Sequence, residues 1–141
     1  MIVSDGTILD LIKGGSLVIS PFDPGKLTPN GYDFSLTDTV EIPPNEGFQV
    51  ETLESVSIPG FLGAMMLLRS SYARKGVVAS FGFVDAGFKG KINFYMKNLG
   101  KETVRIVKEK GVFQMIFLKM DMEAVQTYEK RSGHYQNQGL K

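Results

Sequence analysis

Four short runs hold residue types that suit chemistry on a phosphorylated ligand. RSSYARKG (69–76) closes an apolar run, GAMMLLR (63–69), with Arg69, Ser70, Ser71 and Arg74. Hydroxyls and guanidiniums at a strand end, where backbone N–H groups come free, suit a phosphate chain. A surface turn with a capping serine accounts for the same residues, and taken alone it is the plainer reading. In GFVDAGFKGKI (82–92), Asp85 follows two apolar residues and precedes Gly87 and Phe88, the pattern of a β-hairpin with the aspartate near its apex. Aspartate is equally a routine turn residue. NGYDFSL (30–36) sets Asp33 between aromatics in a strand-like run, and GVFQMIF (111–117) puts Gln114 inside an otherwise apolar one. A buried glutamine must find partners, so hydrogen bonding within the core and contact with a ligand are equally open for Gln114.

The elements that must position these groups are mostly strands. One amphipathic helix is legible near the start: Ser4 or Asp5 can cap it, Ile8, Leu9, Leu11 and Ile12 form its apolar face, and Gly14-Gly15 ends it. After it come SLVIS (16–20), GFQV (47–50), SVSI (55–58), GAMMLLR, KINFYMKN (91–98), TVRIV (103–107) and VFQMIFLKM (112–120). Clusters of Gly, Pro, Asn and Asp separate them. Many short strands without alternating helices predict an all-β sandwich, jelly roll or distorted barrel. The stretch from Thr127 to Lys141 is polar and holds too few apolar residues to bury itself. It is either a frayed end or, through Arg131, His134, Tyr135, Gln136 and Gln138, a segment able to grip a ligand.

Composition narrows the function. The 141 residues fit one domain, and 43% hydrophobic with 22% charged residues is ordinary for a globular chain. Sixteen basic residues against 15 acidic ones leave a net charge of +1, so no nucleic acid polymer is expected as partner. A compact anion needs only a few well-placed donors. Zero cysteines exclude disulfides, and with a single histidine they also exclude the usual zinc sites. No run approaches the roughly 20 apolar residues of a membrane span. The opening MIVSDGTILD lacks a basic stretch followed by an apolar one, so no signal peptide and no membrane are expected, and a cytoplasmic protein is.

Order and spacing of the four runs resemble the superfamily of dUTP pyrophosphatases and dCTP deaminases across nearly the whole chain. RSSYARKG resembles the phosphate-binding motif of both branches, GFVDAGFKGKI the catalytic hairpin, GVFQMIF the glutamine motif, and NGYDFSL the first motif. The opening SDGTILDLIKGGSLVISPF and the closing HYQNQGL are similar to the deaminase branch. The glycine-rich tail with a Phe-Gly pair found in other pyrophosphatases is missing. The resemblance implies an all-β distorted jelly roll or β-barrel with a short N-terminal helix, residues 1–141 forming one domain and about 127–141 a flexible lid.

Two departures select the branch. Deaminases of this type carry a glutamate ten residues beyond the hairpin aspartate, where this chain has Tyr95, and the next acid is Glu102. A phenol, with a reference pKa near 10, is a poor base at neutral pH. Deaminases also carry an Ala-His pair where this chain has Phe81-Gly82, while Gly82-Phe83-Val84-Asp85 resembles the pyrophosphatase pattern. The resemblance therefore implies a dUTP diphosphatase, with a dCTP deaminase, alone or bifunctional, or a non-catalytic nucleotide-binding trimer as alternatives. It implies Asp85 as the catalytic base and Mg2+ held mainly by substrate phosphates, Asp33 reaching it through water. Arg69, Ser70, Ser71, Arg74 and Gln114 would bind phosphate. Phe81, Gly82, Phe83 and Val84 would read the uracil edge by their main chain, and Phe88 would lie against the deoxyribose. Arg131, Tyr135, Gln136 and Gln138 would close as the lid. The expected partners are deoxyuridine triphosphate and two further copies of the chain.

Overall fold

The computed structural model describes residues 1–140. Its first element is the expected helix, α1 (Asp5–Lys13), and Ser4 is the cap: its Oγ accepts from the Thr7 N–H at 3.4 Å. At the other end the Gly14 N–H donates to the Asp10 carbonyl. Ile8 is fully buried, and Leu11 and Ile12 pack partly against the core.

Strands dominate the rest: β1 (Val18–Ser20), β2 (Leu27–Thr28), β3 (Gly31–Ser35), β4 (Val40–Ile42), β5 (Gly47–Ser57) and β6 (Leu62–Leu68). A single-turn helix, α2 (Ser70–Ala73), precedes β7 (Val77–Ser80), β8 (Lys89–Asn98), β9 (Val104–Ile106) and β10 (Gly111–Lys119), and α3 (Tyr128–Arg131) lies in the tail. They make two four-stranded antiparallel sheets, ordered β1-β5-β8-β7 and β2-β3-β10-β6, and a small β4-β9 ladder. The fold is the expected all-β jelly-roll type, and neither sheet closes into a barrel among the described residues.

Period-two alternation builds the core. Along β8, Ile92, Phe94 and Met96 point inward while Asn93, Tyr95 and Lys97 face out. Phe94 meets Phe113 of the opposite sheet edge-on at 5.3 Å, and Phe113 stacks on Phe34 at 5.4 Å. Rings wholly removed from water, as Phe34 and Phe113 are, stabilise by about 1.5–3 kcal/mol each.

The runs GFQV and SVSI, expected as two strands, are one. The residues between them hid this because Glu51, Thr52 and Glu54 read as a polar connection. Thr52 and Glu54 are in fact fully buried and fully bonded. Glu54 accepts from the Ser35 N–H (2.8 Å), the Ser35 hydroxyl (2.7 Å) and Lys26 Nζ (2.9 Å). Thr52 Oγ1 donates to the Glu54 carbonyl and accepts from the Ile92 N–H. The β5–β8 register shifts between Glu51 and Ser55, where these side chains replace ladder bonds. β4 and β7 were not legible either, being three or four residues long beside stronger turn signals.

Candidate active site

Asp85 lies in the connection (81–88) of the antiparallel β7–β8 pair, which is a wide loop rather than a tight hairpin turn. Val84 leaves the β7–β8 pair and crosses to the other sheet, its N–H and C=O both bonded to Ala64 (2.9 and 3.0 Å). Asp85 then opens a four-residue turn closed by the Phe88 N–H donating to the Asp85 carbonyl at 3.0 Å. Gly87 takes φ +89°, a conformation L side chains resist. The reason for the departure is burial: Val84 and Ala86 gain more from the core than from pairing across a hairpin. The Asp85 carboxylate is left exposed on a turn fixed at both ends.

Beside this turn lies a cleft of about 550 Å³. Gly82, Phe83, Val84, Asp85 and Phe88 line one side, and Tyr128, His134, Tyr135 and Gln138 of the tail line another. Gln49 and Asn93 contribute amides from β5 and β8. Phe88 is buried and meets Tyr128 edge-on at 5.6 Å. Phe83 is exposed and lies against Gly63, where a β-carbon would come within 2.7 Å of its ring. Phe81 packs into the aromatic cluster, 4.9 Å from Phe94 and 5.1 Å from Phe113, and does not line the cleft. Val84 spends its backbone on Ala64, whereas residues 81–83 have no backbone partner among the described residues.

The tail is folded onto its own chain. The Tyr128 N–H donates to the Ala86 carbonyl (2.8 Å) and the Asn137 N–H to the Lys89 carbonyl (2.6 Å), while the Lys91 N–H donates to the Gln138 carbonyl (2.8 Å). Gln136 accepts from the Lys89 N–H and donates to the Gly87 carbonyl, both at 3.0 Å; Gln138 Nε2 donates to the Lys91 carbonyl at 2.8 Å. Gln136 thus fastens the tail, whereas Tyr135 and Gln138 face the cleft. Arg131 turns to Gln126 at 3.3 Å, away from it.

The phosphate-type residues gather elsewhere. Arg69, Ser70, Ser71 and Arg74 are exposed around α2, and none of them lines the cleft. Arg69 pairs with Asp33 at 3.6 Å, and Asp33 stands opposite Gln114 across β3 and β10. Burial pushes the Asp33 carboxyl above its ordinary value, opposed by the charges of Arg69 and Lys26. Gln114 Oε1 accepts from Thr28 Oγ1 at 2.7 Å and Asn30 Nδ2 at 2.8 Å. One chain therefore carries a cleft with Asp85 and, outside its lining, a set of hydroxyl and guanidinium groups around α2.

Tyr95 lies across Gly47, its hydroxyl in the space a β-carbon there would need, and is not among the cleft residues. Glu102 borders a different groove with Lys75 and Lys101. Among the described residues no three His, Asp or Glu converge to hold a metal. No helix is long and apolar enough to cross a membrane. Sequence reasoning missed Gln49, Asn93, Ser132 and Tyr128 as cleft residues. Strand alternation sends Asn93 outward, but only the β5–β8 register, which sets Glu51 opposite Asn93 and Gln49 opposite Tyr95, puts Gln49 on the same face two residues along.

A family model described as dUTPase matches residues 20–140. The chain belongs to the dUTPase family, within the superfamily that joins dUTPases and dCTP deaminases, and is an enzyme of that superfamily. A curated relative, "dCTP deaminase, dUMP-forming" of Hydrogenobaculum sp. (strain Y04AAS1), is 30% identical over 148 residues, covering 86% of this chain and 84% of its own. Two solved structures share the fold. The 2′-deoxycytidine 5′-triphosphate deaminase from Agrobacterium tumefaciens has a TM-score of 0.71 at 16% identity, over 82% of this chain and 48% of that one. The native EIAV dUTPase has 0.62 at 20% identity, over 78% and 93%.

Proposed function

We propose that this chain hydrolyses dUTP to dUMP and pyrophosphate. The observation that carries the reading is an exposed Asp85 carboxylate on a rigid turn, at the edge of a cleft walled by Val84 and Phe88. Asp85 takes a proton from the water that attacks the α-phosphorus. A new P–O bond forms as the bridging oxygen leaves with pyrophosphate. Phe88 sits against the deoxyribose and excludes a 2′-hydroxyl, and the free main-chain groups of residues 81–83 read the uracil edge.

The donor set suits Mg2+ that arrives on the triphosphate, since hard oxygen ligands are present but too few to cage an ion. Asp85, and Asp33 through water, are the carboxylates that would help hold it, and the ion supplies charge neutralisation at the phosphates. Arg69, Ser70, Ser71, Arg74 and Gln114 bind phosphoryl oxygens. None of them lines the cleft of the same chain. The site is completed by another copy, in a homotrimer whose buried surface includes the exposed Ile2, Met65 and Leu67. Light scattering giving a monomer of 15.6 kDa under assay conditions would rule this out.

Residues 127–141 act as the lid, and closing them over the nucleotide expels water from the site. Truncation after Lys130 should leave assembly intact and lower kcat/KM severely. Full activity in the truncated chain would make the tail dispensable.

A second reading, dCTP deamination, is favoured by the name of the Hydrogenobaculum relative. Against it stand Tyr95, turned over Gly47, and the lack of any cleft acid besides Asp85. Incubating the protein with dUTP or dCTP and Mg2+ separates the readings. Pyrophosphate from dUTP without ammonia from dCTP is the expected result; ammonia from dCTP would establish deamination, and no product from either a binding role only.

A further inference from the structure

Gln114 is held by two residues that the functional reading leaves without a role. Thr28 ends β2 and Asn30 lies in the turn to β3, where Thr28 pairs with Gly31. The turn is itself anchored, because the Asp5 N–H at the start of α1 donates to the Pro29 carbonyl at 3.1 Å. From this fixed turn the Thr28 hydroxyl and the Asn30 amide both point at one atom, Gln114 Oε1, at 2.7 and 2.8 Å. A carbonyl oxygen has two lone pairs, and both are taken. The Gln114 Nε2 has no acceptor among the hydrogen bonds of the described residues. Gly31 permits the arrangement, since a β-carbon there would fall 2.9 Å from Oε1 and 3.0 Å from Cγ of Gln114.

A glutamine amide is ambivalent: turned over, it presents an acceptor where it had presented donors. Toward a phosphoryl oxygen only one of the two orientations binds. We infer that Thr28 and Asn30 are positioning residues that lock Gln114 with its NH2 outward, making it an obligate donor to a phosphoryl oxygen. The lock costs nothing on ligand binding, because the amide is oriented beforehand by strands rather than by the ligand. Asp33 completes the arrangement from β3, since it faces Gln114 across the ladder and holds Arg69 at 3.6 Å.

This inference rests on the phosphate-binding reading of Gln114, and a double-mutant cycle tests the two apart. Dissociation constants for an imido-bridged, non-hydrolysable dUTP analogue with Mg2+ are measured alongside KM for dUTP. Asn30→Asp removes a donor and supplies an acceptor, so the amide turns over and offers Oε1 to phosphate. The expected loss is about tenfold or more in analogue affinity, the scale of one hydrogen bond to a charged group. In the Gln114→Ala background the same change should cost at most about threefold, since only the added charge then acts. Thr28→Val should also weaken binding, and Thr28→Ser should restore it with a melting temperature like that of the parent. Equal losses from Asn30→Asp in both backgrounds would overturn the inference, as would Thr28→Val binding like the parent. Wild-type affinity in Gln114→Ala would overturn the phosphate reading itself. A protein that binds the analogue with the expected coupling yet leaves dUTP intact would keep the inference and lose the proposed reaction.

Discussion

Gly87→Ala probes the turn that presents Asp85, and the structure sets its size. Gly87 sits at φ +89°, where an alanine costs about 1–2 kcal/mol. The added β-carbon would also lie 2.5 Å from Thr127 Cβ, 3.1 Å from its Cγ2 and 3.2 Å from its Oγ1. Relieving such a contact costs typically ~1–3 kcal/mol, here by pushing away the start of α3. The expected total is about 2–5 kcal/mol, which at this chain length lowers the melting temperature by roughly 7–17 °C. Thr127→Gly removes the three clashing atoms, so in that background Gly87→Ala should retain only the conformational cost of about 1–2 kcal/mol. Thermal unfolding followed by circular dichroism measures both. A melting temperature within 2 °C of wild type, or no recovery in the double variant, would refute the geometry assigned to this turn.

Asp85→Asn should bind the nucleotide analogue normally while kcat falls by about 10²–10⁴, and near wild-type turnover would remove Asp85 as the base. Lys26→Met should destabilise the fold by about 3 kcal/mol, the low end for breaking a buried pair, because Ser35 still donates twice to Glu54; urea unfolding gives the value. Asp33 holds its proton to higher pH in the folded chain than in the unfolded one. The penalty of its buried charge is absent below the ordinary carboxylate value and complete above the raised one. Wild type should therefore lose stability relative to Asp33→Asn as pH rises through that window, and a difference independent of pH would contradict the burial effect.

Element types were legible where the pattern was periodic and long: α1 with its cap, and the apolar strands β6, β8 and β10. The phosphate-type residues and Asp85 stood out in the sequence by type and spacing, but how the fold distributes them did not. A linear reading treats motifs as converging, whereas the Asp85 turn meets β6 at Ala64 and Arg69 follows the far end of that strand, outside the cleft. The hairpin expected around Asp85 is the β7–β8 pair, but its connection is wide because Val84 bonds Ala64 of the other sheet, a partner no local turn signal reveals. β5 read as two pieces because Glu54 found Lys26 and Ser35, partners 28 and 19 residues away, which no local window contains. Cleft residues such as Gln49 depend on cross-strand register, a non-local quantity.

The hydrogen bonds between tail and β8 give this protein a reporter that needs no label. The amide protons of Lys89 and Lys91 are each covered by the tail, by Gln136 Oε1 and by the Gln138 carbonyl. Their exchange with deuterated solvent can proceed only when the tail lifts, so their protection factors measure the free energy of opening directly. A nucleotide that seats the tail should slow both sites together and by equal factors. Amides deep in β10, bonded within the sheet, should keep their own rates until the whole fold opens.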